Sequence, residues 1–432
     1  MAARADVKTA TRPRSSTKGP LDVDDNPLMS PVSASSAARL TPSQSPSRAG
    51  RGPASPLPRS QAASPAPPRA AVAPPKDFSY LLRPEVYHPL TSLTVPAAFH
   101  NSPHQPSPDA SIEDLLARGH FRAAAIAATH ALTGTGTGTA AASPPDPSDH
   151  GRILGLLYTR LACLTLVDAT ALAAQEARAL EDLGSAYYTD EVTGAHLAPW
   201  ELRVLHVRLQ SIGFGDPRRS VMGYYDLARE ARASLAAAAA RHDNSARELW
   251  RGRLGELGVR VAGALVEMDD LAGAAAHLAS LRDAGDGRMA MARALLWLHL
   301  GDVAAARRCV PGGEGEAAHG KIVAALCDMA DGEYASALEG WKEVKEEVDD
   351  EMVGVNMAVC LLYVGRLEEG RKVLEELVAA GYSSHTLLFN LTTVYELCTD
   401  RPKTLKMDLA QKLADMEPTN KGWEKTNADF KL

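Results

Sequence analysis

Between residues 356 and 377 apolar side chains recur three and four positions apart, break at a glycine, and recur again. Met357, Leu361 and Val364 stand at helical spacing before Gly365. Leu367, Val373, Leu374 and Leu377 stand at helical spacing after it, with Glu368, Glu369, Arg371 and Lys372 on the other side. The pattern predicts a helix, a tight turn and a second helix. Neither helix buries its apolar stripe alone, so the unit needs either one large partner or copies of itself.

Copies are present. Aligning the turn residue and the small residue five places later pairs Gly301 with Ala306, Gly332 with Ala337 and Gly365 with Gly370, and extends upstream to Asp269 with Ala274. Thr399 keeps the turn without the small residue. Successive turns from Asp269 lie 32, 31, 33 and 34 residues apart, which is tetratricopeptide spacing. The small residue has a physical reason: two antiparallel helices joined by a short turn approach closely only where one side chain has little bulk. The clearest copy runs from 332 to 344, where Tyr334 and Trp341 supply bulk around Ala337. Farther upstream the register continues as Gly119 with Ala124, Asp168 with Ala173, and Gly215 with Ser220 and Tyr224, at intervals of 49, 47 and 54 residues. A Gly, Thr and Pro-rich insert over 133–149 stretches the first interval and reads as an exposed loop. A run around 185–200 and an Ala-rich helix around 226–241 stretch the others. The expected fold is all-α: about eight degenerate helical hairpins in one curved, tetratricopeptide-like α-solenoid over 105–432.

Composition agrees, since 45% of residues are apolar but only 5% aromatic, which suits Ala- and Leu-rich helices better than sheets. Residues 1–76 differ in kind. They hold 11 Lys or Arg against 4 Asp or Glu, a net of +7, which leaves 35 minus 49, or −14, for the remainder. Crowded with Pro, Ser and Ala, this segment cannot bury enough apolar surface to offset its ordering entropy and is expected to be a disordered basic tail. Ser30, Thr41, Ser45, Ser55 and Ser64 each precede Pro, a pattern that suits either proline-directed phosphorylation or an ordinary Pro-rich tail. Over 77–104 follows a Pro-punctuated lead-in in which Phe78, Tyr80, Leu81, Leu82 and Tyr87 return. Too apolar for a free linker, it is expected to lie extended against the solenoid or a partner, or to be loosely attached.

The chemistry expected is sparse. The five cysteines include no C-x-x-C pair, so neither a metal cluster nor a disulfide framework is expected, and Cys327 and Cys360, one repeat apart, read as buried helix residues. The segment 315–322 spaces Gly315, Gly320 and Lys321 as a phosphate loop would, but Ile322 replaces the magnesium-binding Ser or Thr, and it reads as a repeat-joining loop. Gly134, Gly136 and Gly138 lack dinucleotide spacing, and His100 with His104 lacks a third ligand. No nucleophile, base and orienter group together, so no enzyme, cofactor or metal is expected. A folded part at −14 disfavours nucleic acid, and the tail lacks the apolar anchors of a strong membrane attachment. Neither a secretory core nor a spanning apolar run of about 18 residues is present. A reduced, cytosolic setting is expected.

A binding module remains. Tetratricopeptide co-chaperones clamp acidic C-terminal peptides with Lys, Arg and Asn. Asn356 and Asn390, 34 apart, match such a clamp, but Ile322 and Thr386 stand where Lys is needed and Leu326 where the other Asn is needed. The two Asn are instead expected to bond backbone between neighbouring helices. The second version rests on a resemblance. The segments 202–217, 249–255, 356–369 and 385–401, above all LLFNLTTVYEL, resemble the C-terminal repeat region of subunit 12 of the transport protein particle (TRAPP) complex. The inserted loop, the Ala-rich helix and the tail depart from it. The resemblance implies a non-catalytic subunit of a vesicle-tethering and Rab exchange-factor complex in endoplasmic-reticulum-to-Golgi transport and autophagy. It implies other TRAPP subunits as partners, a Rab GTPase and membranes being reached only through the complex, and a cytoplasmic location peripheral to the Golgi. Trp250, Phe389 and Tyr395 are candidate partner contacts, though each is better suited to packing between repeats.

Overall fold

The computed structural model describes residues 76–92, 94–136, 143–281, 288–309 and 317–432. The tail apart from Lys76, the middle of the inserted loop and the Pro-adjacent Ser and Thr sites lie outside the described residues. The described chain is helical, with one isolated bridge between Thr189 and His196 and no strand. After α1 (Ala97–His100), helices pair as hairpins: α2 (Ile112–Ala117) with α3 (Phe121–Thr133), α4 (His150–Leu166) with α5 (Thr170–Ala177), α6 (Trp200–Phe214) with α7 (Pro217–Ala240), and α8 (Asn244–Glu267) with α9 (Leu271–Ser280). The series continues with α10 (Arg288–His299) and α11 (Val303–Arg308), α12 (Ala317–Asp331) and α13 (Tyr334–Glu347), α14 (Glu351–Tyr363) and α15 (Leu367–Ala379), and α16 (His385–Cys398) and α17 (Pro402–Ala414). That makes eight hairpins among the described residues, a helical solenoid of tetratricopeptide type.

The turn residues carry the geometry. Gly119, Asp168, Gly215, Asp269, Gly301, Gly332 and Gly365 all have positive φ, between 58° and 83°. A left-handed residue ends one helix and reverses the chain within a few positions. At three of these turns an Asp follows and caps the next helix: the side chains of Asp216, Asp270 and Asp302 accept from the first-turn amides of α7, α9 and α11. Five places beyond each turn, Ala124, Ala173, Ser220, Ala274, Ala306 and Ala337 are wholly buried. Gly370 is buried too, and a Cβ there would stand 3.1 Å from the Ala358 carbonyl oxygen. Thr399 departs from the rule: its backbone is extended (φ −148°), and Pro402 opens α17 in place of a left-handed turn.

The Ala-rich stretch is one of two long helices, α7 and α8, of 24 residues each, joined through His242 in the left-handed region (φ 55°). Val364, assigned to the apolar face of α14, is 40% exposed, because the helix ends at Tyr363 and the residue belongs to the turn. Nor is the lead-in extended throughout. Ser79–Leu82 and Pro84–Val86 form 3-10 turns, since proline fixes φ and removes the donors that a strand or a long helix would use.

Candidate interaction surfaces

Most of the residues singled out from the sequence are packing residues. Trp341 is wholly buried against Ala337, Val344, Val353 and Met357, and its indole N–H points to the Met329 sulfur at 3.2 Å. Tyr334 packs against the same cluster and stacks on Tyr363 of the next hairpin, rings 4.1 Å apart and nearly parallel. Tyr395 is buried, with its hydroxyl donating to Glu375 at 3.1 Å; burial, then that carboxylate, push the phenol above its ordinary range. Asn356 and Asn390 do not bridge helices. Each donates to the carbonyl four residues back in its own helix, Met352 at 3.0 Å and Thr386 at 2.8 Å, because on a helical surface that carbonyl is the nearest acceptor to a short amide.

Phe389 and Trp250 are different, since both reach the surface. Phe389 is 43% exposed, with the Lys431 ammonium 5.0 Å from its ring centre and His385 beside it. Trp250 is half-buried edge-on to Trp200, and the Arg253 guanidinium covers both rings.

The lead-in supplies contacts that spacing did not reveal. Phe78 and Leu81 are fully buried in one core with Leu154, Leu157, Leu161 and Leu180. Behind them Arg160 and Glu176, both essentially without exposure, form a two-pronged ion pair at 2.9 and 2.7 Å. The same two side chains seize the lead-in backbone: the Arg160 guanidinium donates to the His88 carbonyl at 2.7 Å, and Glu176 accepts from the His88 N–H at 2.8 Å. Farther on, the chain meets its C-terminal segment. Phe99 packs on Trp423 and Phe430 with ring centres 5.4 and 6.3 Å apart. Trp423 N–H donates to the Gly119 carbonyl at 3.1 Å, Asn427 N–H to Thr94 at 2.6 Å, and the Ser102 hydroxyl to Ala414 at 2.5 Å. Arg122 and Glu424 pair across the same seam. A Cβ at Gly119 would lie 2.2 Å from the Thr419 oxygen, so this turn needs glycine both for its φ and for the contact.

Chemically reactive arrangements are few. Burial pushes the thiols of Cys163 and Cys360 up to about 11, so both stay protonated at neutral pH and act as small apolar residues. Gly320 and Lys321 lie inside α12, where Lys321 pairs with Glu347 at 2.5 Å; these two residues belong to a helix instead of a loop that could cradle phosphate. Among the described residues no group of three or more His, Cys, Asp or Glu could hold a metal, and no helix is long and apolar enough to cross a membrane. His104 instead faces the Asp415 carbonyl in the seam at 3.2 Å.

What the arrangement offers is surface, held by repeated hairpins, and the class of protein is that of tetratricopeptide-type repeat chains. Among curated proteins the chain is similar to trafficking protein particle complex subunit 12 of Mus musculus, 25% identical over 267 residues that make up 55% of this chain and 33% of that protein. The Homo sapiens protein of the same name is likewise 25% identical over 267 residues, 36% of its length. The chain thus spans about a third of the length of the curated relatives it matches. No family model matches. Among solved structures, the tetratricopeptide domain of P58(IPK) overlaps 70% of this chain and 89% of its own at 14% identity, with a TM-score of 0.20. The fold assignment rests on the hairpins themselves.

Proposed function

We propose that this chain is a non-catalytic scaffold subunit of a TRAPP-type vesicle-tethering and Rab exchange-factor assembly, working in endoplasmic-reticulum-to-Golgi transport and autophagy. The observation that carries the reading is the similarity to subunit 12, over a stretch that makes up more than half of the chain. The geometry supports it: an array of hairpins presents extended area, and area with a few buried anchors is what a subunit holding other large proteins requires. In this reading residues 77–104 and 105–432 form the assembly module, residues 1–76 are a separate basic tail, and Trp250 and Phe389 are the contact residues with surface to offer. Its partners are the large TRAPP subunits, with the exchange core, the Rab GTPase and Golgi membranes reached through them from the cytoplasm. Asn356 and Asn390 are committed to their own helices, which speaks against a co-chaperone peptide clamp.

Affinity purification of the tagged full chain from its own cells, washed at about 0.3 M salt to remove weak surface attraction, tests this by mass spectrometry of what stays bound. Stoichiometric recovery of large TRAPP subunits with the small exchange core is expected. Recovery of chaperones alone, or of no partner, overturns it.

A further inference from the structure

The long helices α7 and α8 meet α9 at a groove of about 580 Å³ that no residue singled out from the sequence explains. Its floor is apolar, from the buried Leu257 and Val261 with Leu254 and Leu281 beside them, and the Tyr225 hydroxyl meets the His277 ring nitrogen at 3.3 Å in the same lining. Arg232 and Arg251 line the same groove, both exposed. Among the described residues neither guanidinium has a hydrogen bond or an ion pair, whereas Arg203, Arg208, Arg229, Arg253 and Arg260 of the same helices and α6 are all paired.

Two further observations say what would cover it. Residues 217–267 hold nine Arg against six Asp or Glu, a net of +3, while residues 77–432 as a whole stand at −14. The groove therefore lies in a positive island on an otherwise negative chain. Gly255 lines it from the middle of α8, where glycine costs a helix about 1 kcal/mol relative to alanine. A Cβ built on Gly255 meets nothing within 4 Å, so packing inside this chain does not call for the glycine.

We propose that the groove is a docking site for an acidic segment of a partner protein, one aliphatic side chain entering over Gly255 and its flanking carboxylates pairing with Arg232 and Arg251. Unpaired guanidiniums fit carboxylates two-pronged, and the apolar floor favours a peptide over a phosphate backbone, which would leave that floor uncovered. The inference deepens the scaffold reading and rests on it only in taking this surface to meet another protein.

The test places a photo-reactive benzoylphenylalanine at Ser280, on the groove rim, in the full-length chain in its own cells, and maps the adduct by mass spectrometry. The adduct is expected on an acidic stretch of another protein, with a yield at least about tenfold lower in Arg232→Glu/Arg251→Glu, as loss of charge-assisted bonds implies. Gly255→Leu is expected to lower the yield similarly while leaving the circular-dichroism melt unchanged or raised. An adduct on a neutral or basic segment, on lipid, on nucleic acid or within this chain, a yield indifferent to charge reversal, or no adduct overturns the proposal. If TRAPP subunits still co-purify in that event, the scaffold reading stands and the groove alone is rejected.

Discussion

From Tyr334 to Ala379 the chain stabilises itself by repetition, each helix resting on its neighbours in sequence, whereas residues 94–122 and 415–432 are held by partners about 300 positions away. In the first region Trp341, Leu338, Val344 and Leu361 fill the gap between consecutive hairpins, and left-handed glycines at 332 and 365 set the spacing. In the second, Phe99 from the lead-in and Trp423 and Phe430 from the C-terminal segment add to the core of the last hairpins, closed by backbone bonds from Trp423 and Asn427. Terminal repeats of a solenoid have one neighbour missing and need a cap. Here the lead-in and the C-terminal segment cap the first and last hairpins with each other.

The difference can be broken at several points, beginning with the largest effects. Trp341→Ala leaves a cavity in the repeated region and is expected to cost roughly 3–5 kcal/mol, read as a lower urea midpoint. Arg160→Ala strands Glu176 without its partner in a site closed to water and releases the lead-in at His88; a loss of about 3–5 kcal/mol is expected, with proteolysis now entering residues 77–92 first. In Arg160→Leu/Glu176→Leu the loss should be much smaller, since no buried charge is left alone.

Next in size is a pH effect near the lead-in core. His206 is buried, its Nε2 faces the Glu181 carbonyl at 3.2 Å, and its Nδ1 has no partner. Burial lowers its pKa from 6.5 to about 4. The folded state thus binds the proton less readily than the unfolded state, so this contribution is complete above pH 6.5 and is lost as pH falls toward 4. At most about 3 kcal/mol is involved, from 1.36 kcal/mol per unit. His206→Gln should flatten that part of the stability profile, measured by urea titration between pH 7 and pH 4. The smallest effects lie in the turns. Gly365→Ala should cost about 1–2 kcal/mol for placing a side chain in the left-handed region, and Asp269→Gly should gain a few tenths of a kcal/mol by removing that strain.

The repeated region was the legible one. A period near 34, a turn residue and a small residue five places on are local signals, and all seven turns from Gly119 to Gly365 are left-handed in the structure. The seam was not legible, because nothing near Phe99 in sequence says that its neighbours are Trp423 and Phe430. Contacts across such a separation leave no periodicity. Arg160 and Glu176 carried a faint signal, two charges at positions where Leu157, Leu161, Ala173 and Ala177 mark the helices' buried faces. The groove of α7, α8 and α9 was hidden in the charge sum, since residues 77–432 at −14 conceal a stretch at +3 unless it is counted in windows.

Hydrogen exchange of the full chain tests the joining of the ends most directly. The amides of Trp423 and Asn427 should exchange as slowly as the helices of the first hairpin, and in Phe99→Ala they should lose protection together with residues 94–122 while α12 to α15 stay unchanged. Exchange of residues 419–432 at the rate of an unstructured peptide in the unsubstituted chain would contradict the account, leaving an array whose first and last hairpins stand uncapped.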